Sequence, residues 1–314
     1  MHKSTNMNFC DPEQFEEYLV PAGGETRIRP LVGNRFRATL DTRISQRVRM
    51  FKIDTDSLYL QKSPQQEHFS LNIPLGAPFT VSSPNYEASV GGTAAYLSSP
   101  GPSISYKARK KCNVLTCQFP LGNIETYRQI ILQETTTGQQ TIDPQLSLLS
   151  AAGSSLFQTA VRIWVAMGRE DACVNDIVLR EKEDDLLACF LLLVGDSPEN
   201  QARAVLPSDR TLKNIEDYIC ANLDAAITRD DLVEVTGASI RSLSRAFEKK
   251  YGLGPMAFVR QRRLDACFRV LYGSDREATT VTNVAMAHGF DHLGKFAVAY
   301  KKVFGESPSA TLLK

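Results

Sequence analysis

HGFDHLGKFAVAYKKVFGESP, residues 288–308, carries an aromatic at every fourth position from Phe296 to Phe304 and closes on a glycine and a proline. That spacing puts Leu293, Phe296, Tyr300 and Phe304 on the inner face of a helix from about His292 to Phe304. Just upstream, Gly289 ends a shorter helix, and Asp291 stands where an N-cap belongs. A short helix, a glycine-containing turn and a longer helix make up a helix-turn-helix unit. Gly289 also separates His288 from His292, so the two do not share a helical face as a zinc pair would need. His288 falls instead among the last carbonyls of its helix.

The same grammar occurs upstream in TRDDLVEVTGASIRSLSRAFEKKYGLGP, residues 228–255. Thr228 with Asp231 three residues on is close to a capping box, Gly237 breaks the first helix, and Ser239 can cap the second. Each second helix ends in aromatics, two lysines and a glycine with a proline close behind, and their starts, Ile240 and Leu293, are 53 residues apart. The units are a tandem duplication. Between them PMAFVRQRRLDACFRVLYG reads as a helix of roughly 17 residues, which spans about 26 Å. A rigid spacer of that length can hold two recognition helices near the roughly 34 Å that separates successive major-groove faces on one side of B-DNA.

Charge follows this arrangement. The net charge of +1 is neutral on the whole, but Arg241 to Arg269 holds eight basic residues against two acidic ones. In the first recognition helix Leu243, Phe247 and Tyr251 form the inner face, which leaves Arg241, Ser242, Arg245 and Lys249 outward. An arginine fork matches guanine O6 and N7, so Arg241 and Arg245 are assigned to bases, and Lys249 and Lys250 to phosphates. In the second, the outward face is Gly294, Lys295, Val298, Ala299 and Lys302. Lys295 can reach a guanine edge or a phosphate, while Val298 and Ala299 offer apolar contact suited to a thymine methyl.

The first part of the chain is built differently. From about Arg27 to Phe119 short two-periodic runs (SLYLQ, HFSLNIPL, VLTCQF) alternate with turn clusters such as SSPNYE and SSPGPS, the pattern of an antiparallel barrel or sandwich. PQLSLLSAAGSSLFQTAVRIWVAMG, residues 144–168, then places Leu146, Leu149, Gly153, Leu156, Ala160, Ile163 and Met167 at steps of three and four. That helix, with a second over 174–194, either caps the β domain or forms a dimerisation seam through Leu149, Leu156 and Ile163. GDSPENQARAVLP, ending at Pro207, has linker composition.

Several classes are disfavoured. The β region contains one histidine, His68, with no HxH partner, which argues against a metal oxygenase; no metal or other cofactor is expected. There is no GxSxG nucleophile motif, and no enzymatic activity is expected. Seven scattered cysteines without CxxC pairs fit a reducing compartment, the apolar run from Leu186 to Val194 is too short to span a bilayer, and the N-terminus lacks a signal-peptide core. The expectation is a soluble cytoplasmic protein without a membrane partner.

With GF, HLGKFA, Y, FG and SP in the second unit, SIRSLSRAFEKKYG in the first and RQRRL between them, residues 212–312 resemble the DNA-binding domain of the AraC/XylS family of bacterial transcription regulators. The HLG followed by a basic residue, FA and Y resembles most the branch that includes activators of aromatic-acid degradation. SATLLK after the final SP departs from the aromatic and arginine usual in the family. The resemblance implies a two-domain fold. Its parts are a cupin-like all-β effector-binding barrel (1–143), a helical dimerisation segment (144–195), a linker (196–207) and an all-α domain with two tandem helix-turn-helix units (208–314). It implies a homodimer on double-stranded DNA at a direct-repeat operator, an activator role through RNA polymerase, and a small-molecule effector of the aromatic-carboxylate class. Arg35 and Arg37 beside the strand FRATL are candidates to hold that carboxylate. The alternative is a cupin-type small-molecule-binding protein or enzyme carrying a DNA-binding module of architectural role.

Overall fold

The computed structural model describes residues 3–23, 25–32, 36–45, 47–64, 67–84, 86–101, 103–122, 124, 144–148, 150–168, 176–195, 207–238, 240–274 and 279–313. It divides into two compact units, Met1–Leu148 with Thr159–Val194, and Leu149–Gln158 with Gly195–Lys314. The sequence boundary at 143 and 144 is therefore displaced. The first residues of helix α2 (Ala151–Met167) belong to the second unit and the remainder to the first. Most of the linker, 196–206, lies outside the described residues.

The first unit contains two antiparallel sheets. The larger runs, in spatial order, β1 (Lys3–Phe9), β3 (Ala38–Ile44), β4 (Arg49–Thr55), β11 (Cys112–Pro120), β6 (His68–Pro74), β9 (Ala94–Ser98), β12 (Gln145–Ser147). The smaller runs β2 (Thr26–Pro30), β5 (Leu58–Lys62), β10 (Ile104–Ala108), β7 (Phe79–Ser83), β8 (Tyr86–Val90). SSPNYE closes the β7–β8 hairpin, with Ser83 opposite Tyr86. Helix α1 (Pro12–Gly23) contributes Phe15 and Leu19 to a core shared with Phe9, Phe51, Leu58 and Leu60.

The two faces of the larger sheet have different partners. On β6 and β11 the apolar set Phe69, Leu71, Leu115 and Phe119 lies on the side of helix α3 (Asp176–Gly195), where Phe190 stacks on Phe119 at 4.5 Å and meets Phe69 at 6.0 Å. The alternate set, Ser70, Asn72, Thr116 and Gln118, is nonetheless buried, because it faces the interior between the sheets. On α2 the seam of Leu156, Ala160, Ile163 and Met167 is also buried within the chain, which favours the packing reading. Leu156 and Ile163 are thus withdrawn from a dimerisation surface, and Leu149 lies outside the described residues. Trp164 of the same helix is covered by the Arg43 guanidinium, 3.7 Å from its ring centroid; Arg43 also donates to the Trp164 carbonyl and pairs with Asp41 at 3.0 Å.

The second unit adds α4 (Pro207–Ala221), α5 (Arg229–Thr236), α6 (Ile240–Tyr251), α7 (Pro255–Gly273), α8 (Val281–Ala287), α9 (Leu293–Phe304) and α10 (Pro308–Leu312). The spacer α7 is 19 residues long, so its length is about 28 Å. Both ends of α7 are gripped by aromatics. Phe258 meets Phe247 at 5.4 Å and Tyr251 at 4.7 Å, while Phe268 meets Phe304 at 4.7 Å and stacks on Tyr272 at 5.2 Å. The SATLLK tail folds as α10. Tyr300 donates to Thr311 (3.0 Å), which donates to buried Glu306 (2.8 Å), tying the tail to α9.

Candidate nucleic-acid interface and ligand cavity

Caps and turns build each helix-turn-helix. Thr228 accepts from the Asp231 N–H at 3.2 Å and donates its own N–H to the Asp231 carboxylate at 2.7 Å, completing the capping box. Gly237 then turns the chain at φ +65°. In the second unit Thr280 accepts from the Asn283 N–H at 3.1 Å, and Gly289 turns at φ +71°. The expected Asp291 cap is displaced by one residue. His292 holds the N-cap position of α9, without a side-chain cap bond. His288 caps α8 at its C-terminal end and its Nδ1–H donates to the Val284 carbonyl at 2.8 Å. Ser239 lies outside the described residues.

The two recognition helices superpose in sequence at an offset of 53, as in Leu243 and Phe296, Phe247 and Tyr300, Tyr251 and Phe304, all buried. The first helices register at 52, as in Thr228 and Thr280, so the second turn is one residue longer. Opposite the buried stripes, Ser242, Arg245 and Lys249 are exposed on α6, and Lys295, Val298 and Lys302 on α9, again at an offset of 53. Val298 is 73% exposed, high for a valine. Arg241 lies on α6, but its side chain is outside the described residues. Leu293, expected in the core, is 39% exposed. It is the first residue of α9, and a side chain there leans toward the helix N-terminus, past the core. Lys250 is exposed but drawn sideways, 3.7 Å from the Glu216 carboxylate of α4.

The basic patch is narrower than the sequence implies, since three arginines of α7 work inside the unit. Arg262 is buried, 3.3 Å from Asp265, with its guanidinium 4.6 Å from the Phe258 ring centroid; Arg269 lies 4.6 Å from that of Phe157. Asp265 also accepts from Ser154 (3.4 Å) and Gln158 (3.1 Å), which belong to the second unit. Burial pushes the Asp265 carboxyl up against the opposing pull of both arginines, and burial lowers Arg269 to about 10. Arg263 donates to the carbonyls of Gly289 (3.3 Å) and Ala225 (2.6 Å), one in the second unit's turn and one just ahead of α5. It fastens the two helix-turn-helix units to each other through α7.

Between the two sheets of the first unit lies a cavity of about 90 Å³. Phe15 and Leu19 of α1 and Phe51, Leu58, Leu60 and Phe79 of the strands make its apolar part; Lys62, Asn72, Tyr106, Thr116 and Gln118 make its polar part. Thr116 donates to Asn72 Oδ1 at 3.0 Å, and Gln118 donates to His68 Nε2 at 2.9 Å. Burial, aided by the charges of Lys62 and Arg49, lowers His68 to about 4 and keeps it neutral. Burial alone lowers the Lys62 ammonium to about 8. Arg37, the effector candidate within the described residues, precedes β3, is exposed and does not line this cavity; Arg35 lies outside the described residues. The cation of the cavity is Lys62. Its signal was present in SLYLQK, where Lys62 continues the inward alternation of Leu58 and Leu60.

A β sandwich with an internal cavity and a helical unit with paired recognition helices define a ligand-binding domain joined to a double helix-turn-helix domain. The family model described as AraC-binding-like domain matches residues 17–192, over half of the chain, and the one described as helix-turn-helix domain matches 232–314. The chain belongs to the AraC/XylS family of transcriptional regulators.

Similar proteins include the XylDLEGF operon transcriptional activator 2 of Pseudomonas putida, 37% identical over 100 residues, which are 32% of this chain and 64% of that one. The probable thc operon regulatory protein of Rhodococcus erythropolis is 34% identical over 124 residues, 38% of this chain and 37% of that one. The chain therefore spans less than two thirds of the length of these relatives. A crystal structure of a probable AraC family transcriptional regulator from Rhodopseudomonas palustris CGA009 is 40% identical, covering 33% of this chain and 95% of that one with a TM-score of 0.31. Among the described residues no helix is long and apolar enough to cross a membrane.

Proposed function

We propose that the chain is a sequence-specific transcription regulator, an activator controlled by a small effector, that reads duplex DNA with α6 and α9 in successive major grooves. The observation that carries this reading is the repetition of one exposed face at an offset of 53 residues, Ser242, Arg245 and Lys249 answered by Lys295, Val298 and Lys302, on helices joined by a spacer of about 28 Å. In this arrangement Arg245 takes a base edge and Val298 a thymine methyl, while Lys249 and Lys302, at the far ends of their faces, meet phosphates.

The activators among the relatives support the direction of regulation, and the cavity supports a small ligand, of the aromatic-carboxylate class that the branch resemblance implies. Effector binding switches transcription only if it favours the DNA-competent arrangement over the alternative one. A second copy of the chain on a direct-repeat operator, and RNA polymerase at the adjacent promoter, complete the set of partners.

The test begins with operators selected from random duplexes by the wild-type protein. Arg245→Ala is expected to lose about 1 to 3 kcal/mol on them and to relax one base position. Unchanged affinity together with unchanged base preference refutes the assignment.

A further inference from the structure

We propose that the cavity of the first unit takes a small monocarboxylate with a single ring, its carboxylate on the Lys62 ammonium and its apolar body toward Phe15, Leu60 and Phe79. The inference rests on the effector reading above and gives the chemistry of that site.

Three observations carry it. First, Lys62 stands at an inward position of β5, continuing Leu58 and Leu60, so its ammonium is aimed between the sheets by the strand's own alternation. Second, among the described residues no aspartate or glutamate lines the cavity and no carboxylate lies within ion-pair distance of Lys62. An ammonium partly withdrawn from water against an apolar wall without a counter-ion is costly, and an anionic ligand lowers that cost. Third, the space is small. A water-sized sphere needs roughly 10–15 Å³ of such volume, so about 90 Å³ admits roughly six to nine positions, a ring with one carboxylate and not two fused rings.

The apparent affinity should also report the protonation of Lys62. The groups around it leave the window between pH 7 and 9 clear. His68 on β6 is lowered to about 4, Cys112 and Cys117 on β11 are raised to about 12 by burial, and burial raises Tyr106 on β10 and, to about 12, Tyr96 on β9. Arg49 lies on β4, and Glu16 on α1 accepts from the Ile28 N–H. With Lys62 at about 8, its protonated fraction is nearly complete at pH 7 and about one tenth at pH 9.

The probes are benzoate and its neutral isostere benzamide, titrated calorimetrically into the full chain. Benzoate is expected to bind at least tenfold more tightly than benzamide, to lose at least tenfold in Lys62→Met and in Lys62→Gln, and to weaken about tenfold in the wild type between pH 7 and pH 9. Equal binding of the two probes, undiminished benzoate affinity in a variant with wild-type helical content, no saturable benzoate binding at millimolar concentration, or a flat pH profile overturns the proposal. The pH profile uses only the unmodified protein, so it decides even if neither variant folds. A parallel gel shift on the selected operators separates the two readings: benzoate binding without DNA binding leaves this site standing and removes the regulator, whereas DNA binding without benzoate binding does the reverse.

Discussion

Substituting the two turn glycines separates backbone strain from the structural role of Arg263. Gly237 and Gly289 sit at φ +65° and +71°, a region where a Cβ costs about 1 kcal/mol. At Gly237 an added Cβ meets nothing within 4 Å, so Gly237→Ala should lose that amount alone. At Gly289 the Cβ would lie 2.6 Å from Arg263 Nη1 and 2.7 Å from its Cζ. The guanidinium ends a flexible side chain and can swing aside, so the penalty is not steric. It is the loss of the bonds to the Gly289 and Ala225 carbonyls, worth together about 1–2 kcal/mol at a partly exposed site. Gly289→Ala should therefore lose about 2–3 kcal/mol.

The assay is urea unfolding of the full chain followed by helical circular dichroism, with fluorescence of Trp164, the single tryptophan, reporting the first unit separately. In an Arg263→Ala background the Gly289→Ala penalty should fall to about 1 kcal/mol, a coupling of about 1–2 kcal/mol. Equal penalties at the two glycines, or a Gly289→Ala penalty indifferent to Arg263, refute this account of how the two helix-turn-helix units are held together.

Two further substitutions probe buried polar clusters of the second unit. Asp265→Ala strands the buried Arg262 and the neighbouring Arg269 without their anion and should destabilise the unit by about 3–5 kcal/mol in the same urea assay. Thr311→Val takes the acceptor from the buried Tyr300 hydroxyl and a donor from Glu306, and should lower stability by about 1–3 kcal/mol while leaving the exposed faces of α6 and α9 unchanged, as read by an unaltered operator preference.

The helical half was legible because its core repeats a simple interval. Phe296, Tyr300 and Phe304, and their counterparts at 243, 247 and 251, mark the inner face before any contact is known. Burial of charge was not legible. Arg262, Arg263 and Arg269 read as members of a surface patch, since nothing local announces that Asp265 or the carbonyls of Gly289 and Ala225 would meet them. In the β half the alternation was visible but its sense was not. Alternation puts Phe69, Leu71 and Leu115 on one face and Asn72, Thr116 and Gln118 on the other, but sequence shows which residues share a face and not how many layers cover it. Once α3 covers one side of the sheet and the second sheet the other, those polar residues become the wall of a cavity.

The correspondence between α6 and α9 also limits what the operator can be. The inner faces are equivalent at every buried position, and the distal lysines, Lys249 and Lys302, are identical in type. The outward positions differ at Arg241 against Gly294, at Ser242 against Lys295 and, in the middle of the face, at Arg245 against Val298. An arginine there discriminates by directed hydrogen bonds, a valine only by apolar contact and shape. In the proposed reading the two half-sites met by one chain are therefore alike in backbone contacts and unlike in sequence demand. On that same proposed reading the upstream unit holds the stricter base preference, and the repeat met by two copies of the chain is a repetition of whole two-part sites, not of a single half-site.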